Sequence, residues 1–249
     1  MKEDVVKEES WFGETFRTII YAVLIAMVVR TFAFEPFKIP SESMLPTLKI
    51  GDYLFVSKYS YGFSKHSFPF SGGMFSGRIL EEMPERGDVA VFKKPIGDPI
   101  DYIKRIVGLP GDKLQMINGV LHINGTAVKR ERVEDYVDRD FNGNVRRFAQ
   151  FQETLPNGRT YMTLDLTRNG SADNTDVFTV PAGHIFGMGD NRDNSTDSRF
   201  LTHVGYIPVE NLVGRAEILF FSLEGDTAFW EVWKLPFATR WERVFSSLN

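Results

Sequence analysis

The sequence predicts a mainly β, antiparallel domain behind one N-terminal transmembrane helix, and three observations support this fold class. Residues 18–29 are apolar without a break, as in a helix that lies in a membrane or a core. After Pro40 the apolar runs become short and rich in β-branched and aromatic residues, which is typical of strands. Two Asn-Gly pairs, at 118–119 and 124–125, indicate the two-residue turns that join antiparallel strands.

Composition limits the classes of function that the chain can have. The chain has 249 residues, 43% hydrophobic and 25% charged, so it can bury a sizeable core. Its 29 basic and 33 acidic residues give a net charge of −4, which does not fit a nucleic-acid-binding protein. Because cysteine is absent, disulfides, Fe–S clusters, Cys-ligated zinc and a cysteine nucleophile are excluded. The four histidines are scattered and form no HExxH motif, which disfavours a zinc hydrolase.

The first predicted element is an apolar segment at residues 18–34. Its length falls at the lower end of the roughly 17–25 residues that a spanning helix needs, and the long side chain of Arg30 can carry its charge to the membrane surface. Residues 1–17 hold five acidic and three basic residues, whereas a cleaved signal peptide begins with a positively charged region. We therefore expect a membrane anchor, with a buried helix of a soluble protein as the alternative. The flanking charges do not fix its orientation.

Residues 36–225 are predicted to form the β-rich domain. Strand-like runs occur at 52–59, 88–92, 101–109 and 183–190. Residues 114–128, which contain both Asn-Gly turns, predict a tight meander. The interval 62–80 is rich in Gly, Ser and Phe and predicts a loop, and the polar interval 129–178 predicts an insertion of strands and loops.

The last segment, residues 226–249, returns to a helical pattern. Its large apolar residues are spaced by one, three or four positions, at Phe229, Trp230, Trp233, Phe237, Trp241, Val244 and Phe245. This spacing predicts an amphipathic, aromatic helix with a kink at Pro236. Two alternatives remain open for its apolar face: it packs on the β core, or it lies in the membrane interface, where tryptophan is favoured.

Lys104 is the first candidate for chemistry. Strand alternation places Tyr102, Lys104 and Ile106 on one face of the run 101–109. Burial among apolar side chains disfavours the ammonium form and lowers the pKa of a lysine, whose neutral amine can then accept a proton. The alternative is a solvated lysine at a sheet edge.

Ser43 is the natural proton donor to such a lysine. It lies between Pro40 and Pro46, which restrict the backbone on both sides. An activated serine hydroxyl is a nucleophile for acyl transfer. The alternative is that Ser41 and Ser43 belong to an ordinary turn or helix cap.

A third block, residues 187–199, is dense in acidic and amide side chains. Asp190, Asp193 and Asp197 resemble a calcium loop, but the Gly at the sixth position and the Glu at the twelfth are missing. Arg192 and Arg199 lie between them, which indicates internal ion pairs. We expect a structural scaffold here.

Together these blocks resemble bacterial type I signal peptidases, the membrane-bound serine proteases with a Ser/Lys dyad. Four segments match the motifs of that family in order and spacing: SESMLPTL (41–48), RGDVAVF (86–92), DYIKRIVGLPGD (101–112) and GDNRDNSTDSR (189–199). The resemblance covers about 17–125 and about 178–222. It implies a signal-peptidase-like antiparallel β fold and the removal of N-terminal signal peptides from exported preproteins.

The resemblance also implies roles for individual residues. Ser43 is expected to be the nucleophile and Lys104 the general base, with no metal and no cofactor. The side chain of Ser41 is expected to join the backbone N–H of Ser43 in the oxyanion hole, and Ser195 to hydrogen-bond and orient the lysine. Asp197 with Arg199, and Arg105 with Asp190, are expected to form supporting ion pairs.

Substrate contacts follow from the same resemblance. Signal peptides carry small residues at positions −3 and −1, which implies shallow apolar pockets. The −3 side is expected to be lined by Phe37, Ile39, Leu54, Val91 and Ile103, and the −1 side by Met44, Leu48 and Tyr102.

Partners and location complete these expectations. Preproteins and membrane lipid are the expected partners, with the protein-export machinery as a further candidate and no nucleic acid. A single span implies a cytoplasmic segment 1–17, an anchor in the bacterial cytoplasmic membrane, and a catalytic part facing the periplasm or exterior.

Two functions of other classes compete with this interpretation. A non-catalytic membrane-anchored binding protein could share the scaffold, but it would not need Ser43 and Lys104 together. A self-cleaving Ser/Lys regulator would carry a DNA-binding domain, and residues 1–36 are too short and too apolar for one.

Overall fold

The computed structural model describes residues 11–67, 76–139, 144–167, 169–225 and 231–248, without the side chains of residues 11, 12 and 139. The α-helices are α1 (Trp11–Phe32) and α2 (Leu235–Ala238). The strands are β1 (Phe34–Lys38), β2 (Asp52–Ser57), β3 (Phe63–Ser64), β4 (Arg78–Ile79), β5 (Val89–Lys93), β6 (Asp101–Gly108), β7 (Lys113–Ile117), β8 (Val120–Ile123), β9 (Thr126–Ala127), β10 (Lys129–Arg132), β11 (Tyr136–Arg139), β12 (Val145–Thr154), β13 (Thr160–Asp165), β14 (Phe178–Thr179), β15 (His184–Met188), β16 (Ile207–Pro208) and β17 (Leu212–Ser222). Short 3₁₀ turns lie at Tyr59–Tyr61, Lys65–Ser67, Arg192–Asn194, Val209–Asn211 and Trp241–Arg243.

Helix α1 is long and apolar enough to cross a membrane. Its stretch Gly13–Phe32 has a mean hydropathy of 1.6, and only 6% of it is buried. The exposure of its apolar side chains contradicts the buried helix of a soluble protein. Helix α1 begins seven residues before the predicted anchor segment, 18–34, and ends two residues before the end of that segment. The helix includes Glu14 in its first turn, where a carboxylate is favourable to the helix dipole, and it stops before β1 begins at Phe34.

The main sheet has seven strands in the order β1-β2-β17-β5-β6-β15-β16, and its pairs are antiparallel. The predicted antiparallel, mainly β class is therefore confirmed. Strand β1 follows α1 at the sheet edge, which is where Pro36 is tolerated because an edge strand leaves some N–H groups unpaired. Strands β5, β6 and β15 are adjacent and carry two of the four motif segments through the middle of the sheet.

The predicted meander is also confirmed. Strands β7, β8 and β9 pair in register around both Asn-Gly turns. Asn118 and Gly119 have φ values of 48° and 74°, which fit the type I′ turn that this dipeptide favours. The predicted loop at 62–80 was wrong in part: β3 and β4 pair within it, and residues 68–75 lie outside the described residues.

The insertion at 129–178 contains a second sheet. The long strand β12 pairs with β10 and β11 on one side and with β13 on the other. Leu45, Phe148 and Leu164 form a small core cluster, with Tyr136 packed against it. Since Leu45 belongs to the SESMLPTL segment, the insertion packs directly on the part of the chain that carries Ser43.

The predicted long C-terminal helix was wrong. Within residues 231–248 the structure has only α2 and one 3₁₀ turn, and Pro236 lies at the start of α2 rather than at a kink. The reason lies in β17, whose second half extends past β5 and offers unpaired backbone groups. The Phe245 N–H donates to Leu219 O at 2.7 Å, and the Leu219 N–H donates to Ser246 O at 2.9 Å. The tail thus satisfies the sheet edge instead of its own helix. Phe229 and Trp230 lie outside the described residues.

Candidate active site

Ser43 is held in the connection between β1 and β2, residues 39–51, which we call the nucleophile loop. Two backbone hydrogen bonds close its ends: Ile39 N–H to Asp52 O at 2.8 Å, and Gly51 N–H to Ile39 O at 3.1 Å. Met44 and Leu48 are buried beneath it, so apolar packing fixes the loop from below. The loop therefore presents Ser43 from a constrained backbone.

Lys104 lies in the middle of β6, where its Cα faces that of Ala90 in β5. On the other side, β15 contributes Gly187, and a Cβ added there would lie 3.1 Å from Lys104 Cβ. Glycine at 187 thus lets β15 approach the lysine closely. Tyr102 and Ile106 pack in one apolar cluster and Ile103 in another, so the predicted alternation of β6 is confirmed.

The two chemical groups meet directly. Lys104 Nζ donates to Ser43 Oγ at 2.6 Å, across 61 residues of sequence. Lys104 is 3% exposed and Ser43 9%. Ser41 Oγ lies 3.4 Å from Ser43 Oγ on the solvent side. The solvated-lysine and simple-turn alternatives do not fit this geometry.

Burial sets the protonation of Lys104. Loss of solvent lowers the pKa of Lys104 from its ordinary 10.5 to about 8, even though the carboxylates of Asp197 and Asp190 raise it. At pH 7 roughly a tenth of the molecules then carry a neutral amine, compared with almost none for a solvated lysine. A neutral amine 2.6 Å from a hydroxyl can accept its proton.

Two ion pairs surround the dyad. Arg199 donates to Asp197 at 2.9 and 2.8 Å, and both side chains are fully buried. Burial alone would raise the pKa of Asp197, but Arg199 and the Gly189 N–H hold it below its usual range. Arg105 donates to Asp190 at 2.9 and 2.7 Å, also out of solvent. The structure brings together both of the expected pairs.

Ser195 does not make the expected contact. Its Oγ is buried and has no hydrogen-bond partner among the described residues, so the hydrogen bond to Lys104 is absent. The hydrogen bond that Lys104 Nζ makes is to Ser43 Oγ. Ser195 instead packs against Gly189, where a Cβ would lie 2.2 Å from Ser195 Oγ and 2.5 Å from Ser43 O.

The expected substrate-contact residues lie around the dyad in two apolar clusters. Seven of them share one cluster: Phe37, Ile39, Met44, Leu48, Leu54, Val91 and Ile103. Tyr102 belongs to the other cluster, and Lys104 Nζ lies 5.5 Å from the centre of its ring. Met44 and Leu48 thus join the residues expected on the −3 side, whereas Tyr102 stands apart.

One acidic group among the described residues has the spacing of metal ligands. Asp165, Asp173 and Asp193 each place a carboxylate oxygen within 4.8 Å of the other two. Arg130 donates to Asp165 at 2.7 Å, and the backbone N–H groups of 166–167 donate to Asp193 at 2.9 Å. The Gly170 N–H donates to Asp173 at 2.6 Å, and these bonds connect the insertion to the 189–199 segment.

Two contacts of the nucleophile loop were not predicted from the sequence. Thr47 Oγ1 donates to Asp190 at 2.6 Å, which joins the loop to the Arg105–Asp190 pair. Glu42 accepts from Arg146 of β12 at 2.7 Å. Thr47 could have been found, since it lies in the same motif segment as Ser43. Arg146 lies 104 positions away in the insertion and carries no local signal.

Comparison with known proteins identifies the family. The family model described as "Signal peptidase, peptidase S26" matches residues 12–221. The signal peptidase I of Rickettsia typhi is 40% identical over 230 residues, which cover 89% of this chain and 85% of that protein. The signal peptidase I of Rickettsia canadensis is 41% identical over 218 residues, covering 84% of this chain and 80% of that protein.

A solved signal peptidase I from Enterococcus faecalis V583 also matches, with 25% identity and a TM-score of 0.31 over 54% of this chain and 97% of that chain. The matches to the Rickettsia proteins cover most of the chain. The signal peptidase I family is membrane-anchored, which agrees with α1, the one helix among the described residues that is long and apolar enough to cross a membrane. The chain therefore belongs to the signal peptidase family, peptidase S26, and is a serine endopeptidase.

Proposed function

We propose that the chain removes N-terminal signal peptides from exported preproteins with Ser43 as nucleophile and Lys104 as general base. The observation that carries the proposal is the 2.6 Å hydrogen bond between two buried side chains from distant motif segments. Neutral Lys104 takes the Ser43 proton as Oγ attacks the scissile carbonyl. The same amine then activates the water that releases the acyl-enzyme.

Two hydrogen-bond donors next to the nucleophile stabilise the oxyanion that forms when Ser43 attacks the scissile carbonyl. These are the backbone N–H of Ser43 and the hydroxyl of Ser41, and the 3.4 Å separation of the two hydroxyl oxygens supports the second. One donor of this kind is typically worth about 3–4 kcal/mol of transition-state stabilisation. Neither step requires a metal or an organic cofactor.

Cleavage follows small residues at positions −3 and −1 of the substrate. The shared apolar cluster at Phe37, Ile39, Leu54, Val91 and Ile103 supports a −3 pocket, and Met44, Leu48 and Tyr102 are assigned to the −1 side. An extended peptide pairs with β6 near Tyr102 and with the segment before Ser43, where main-chain hydrogen bonds give affinity.

The dyad is tested by cleavage of a preprotein with an A-x-A site in detergent. Ser43→Ala and Lys104→Ala each abolish cleavage while the protein stays folded, and the double variant is no worse than either single variant. The rising limb of kcat/KM lies near pH 8, where Lys104 loses its proton. Substantial processing by a single variant, or a rising limb at pH 10 or above, rules out the dyad.

The catalytic domain faces the periplasm or cell exterior, with residues 1–17 in the cytoplasm. With α1 as the one candidate span in the described part of the chain, the domain must lie on this side of the membrane to meet translocated preproteins. Protease added to spheroplasts then digests the domain after residue 36, and protection until lysis contradicts this orientation. Membrane lipid is the second partner. Contact with the protein-export machinery is also proposed, because the machinery and this chain both act on preproteins.

A further inference from the structure

Glu153 is a buried carboxylate that belongs to none of the four motif segments. It lies near the end of β12, in the insertion, and its side chain is 1% exposed. A carboxylate so far from water needs a full set of donors. The hydrogen-bond partners of Glu153 connect the insertion to the active site.

Arg192 is its main partner. The guanidinium donates from Nη1 to Glu153 Oε1 at 2.8 Å and from Nη2 to Oε2 at 2.6 Å, a two-point geometry that fixes both side chains. The hydroxyl of Tyr161 donates to Oε2 at 2.8 Å. The ring of Tyr161 also lies 4.4 Å from the guanidinium carbon of Arg105. Thr163 Oγ1 also donates to Glu153 Oε1 at 3.4 Å, and Arg130 Nε, on a side chain that is 10% exposed, lies 3.7 Å from the same oxygen.

Arg192 belongs to the segment 189–199, and its other contacts shape that segment. Its Nε donates to Gly189 O at 3.3 Å, and its carbonyl accepts from Arg199 Nη2 at 2.6 Å. Arg199 in turn holds Asp197, whose carboxylate acts on Lys104. One residue before Arg192, the Asn191 N–H donates to Ser43 O at 3.1 Å. The segment therefore touches the surroundings of both dyad members.

We propose that Glu153 is a positioning residue for catalysis: by pairing with Arg192 it fixes the segment 189–199 against Ser43 and Lys104. The insertion then holds the segment 189–199 in place, and this segment in turn contacts the surroundings of Ser43 and Lys104. This inference rests on the proposed Ser43/Lys104 mechanism.

The charge of Glu153 is essential to this role. Arg192 is 2% exposed and always protonated, so it needs a carboxylate partner. The other carboxylate that acts on it, Asp190, already accepts from Arg105 and Thr47. Without Glu153, Arg192 competes for Asp190, and the segment shifts relative to the dyad.

The test compares Glu153→Gln with the unmodified full-length chain in detergent. We expect kcat to fall by about 10- to 100-fold, the scale of a displacement of about 1 Å at a catalytic group, with little change in KM. The rising limb of kcat/KM also moves away from pH 8, because Asp197 and Arg199 no longer hold their places beside Lys104. Glu153→Asp keeps the charge and recovers part of the activity.

Leu121→Ala is the matched control for lost stability. Leu121 is buried in the β7–β8 meander and touches no dyad residue, so this variant lowers Tm without changing kcat or the pH profile. Glu153→Gln combined with Arg192→Gln is expected to be no worse than the more damaged single variant. If Glu153→Gln does not fold, Tyr161→Phe removes one donor to Glu153 and gives the same change on a smaller scale.

The proposal is overturned if Glu153→Gln folds and keeps its kcat and its pH profile. It is also overturned if Leu121→Ala loses as much kcat as Glu153→Gln does. Ser43→Ala separates the two hypotheses. If Ser43→Ala still cleaves, the dyad mechanism itself fails. If Ser43→Ala is inactive and neither Glu153→Gln nor Tyr161→Phe alters catalysis, only the positioning role fails.

Discussion

Two buried aspartates hold the active-site region, and they are paired in opposite ways. Asp197 and Arg199 are two positions apart, and both side chains are at most 1% exposed. Asp52 is equally buried, but Arg243 comes from the tail, 191 positions away, and is 17% exposed. The first pair lies beside Lys104. The second joins the C-terminal tail to the nucleophile loop, since Arg243 also donates to Thr47 O at 2.9 Å.

The difference lies in what remains when one partner is lost. Arg199 depends on Asp197 as its carboxylate partner at 2.9 and 2.8 Å, so losing Asp197 leaves a buried charge uncompensated. Asp52 has further donors: the hydroxyl of Ser222 and the backbone N–H of Lys49, each at 2.7 Å. Both pairs bury an aspartate, yet we expect the loss of one partner to cost a different free energy of unfolding in each.

Asp197→Asn is expected to have the largest effect on stability. Breaking a buried pair by neutralising one partner typically costs about 3–5 kcal/mol of unfolding free energy. The carboxylate of Asp197 raises the pKa of Lys104, so its removal moves the rising limb of kcat/KM below pH 8. Urea unfolding and a pH–activity profile measure the two effects.

Arg243→Gln is the matched control for this comparison. Because Arg243 is partly solvated and Asp52 keeps other donors, we expect a loss of about 1–2 kcal/mol and an unmoved pH profile. Equal losses in the two variants, or a shifted profile in Arg243→Gln, would show that the two pairs are equivalent after all.

Lys104→Met is expected to stabilise the protein while it abolishes activity. The pKa of Lys104 is about 8 in the folded chain and about 10.5 when solvated, so folding below pH 8 forces a charge into the core at a cost of about 3 kcal/mol. Between pH 8 and 10.5 the unfolded chain binds more protons than the folded chain, so stability rises with pH in that window. Urea unfolding at pH 7 and pH 10 measures this.

In Lys104→Met the rise between pH 8 and 10.5 should vanish, and the gain in unfolding free energy should be largest at pH 7. Lys94→Met is the control, because Lys94 is only partly buried and lies outside the dyad. A destabilised Lys104→Met at pH 7 would mean that the lysine is paired or hydrated in the folded chain.

The same contrast explains what could be predicted from the sequence. The alternation of β6 and the Asn-Gly hairpins depend on residues close in sequence, where local geometry decides the outcome. The pairing of Asp197 with Arg199 was expected only from the family resemblance. The contacts of Glu153 with Arg192 and of Arg243 with Asp52 depend on the fold, and no local pattern indicates them. The predicted helix does not form in the tail because unpaired backbone groups at the edge of β17 take up the backbone hydrogen bonds of the tail.

The tail has an outer face as well as the inner face that carries Arg243. Its exposed aromatic side chains are Trp233, Phe237, Trp241 and Phe245, between 64% and 90% solvent-accessible. Aromatic rings of this kind are favoured at the membrane interface. Since β17 lies next to β2, and β2 next to the β1 strand that follows the anchor, the tail sits within the same part of the sheet as the membrane-proximal strand.

We therefore expect the outer face to bind lipid, with the smallest effect on stability of all these changes. Trp233→Ala with Phe237→Ala should change the unfolding free energy by only about 0.5 kcal/mol, because both side chains are largely solvated. In a chain that begins at Phe34, the double variant Trp233→Ala/Phe237→Ala should sediment less with vesicles of phosphatidylcholine and phosphatidylglycerol. Val177→Ala, which changes a 52% exposed apolar residue in the insertion, is the control and should leave sedimentation unchanged. If the truncated chain stays in the supernatant with its tail intact, the aromatic face has no lipid contact, and the tail serves only to close the edge of β17.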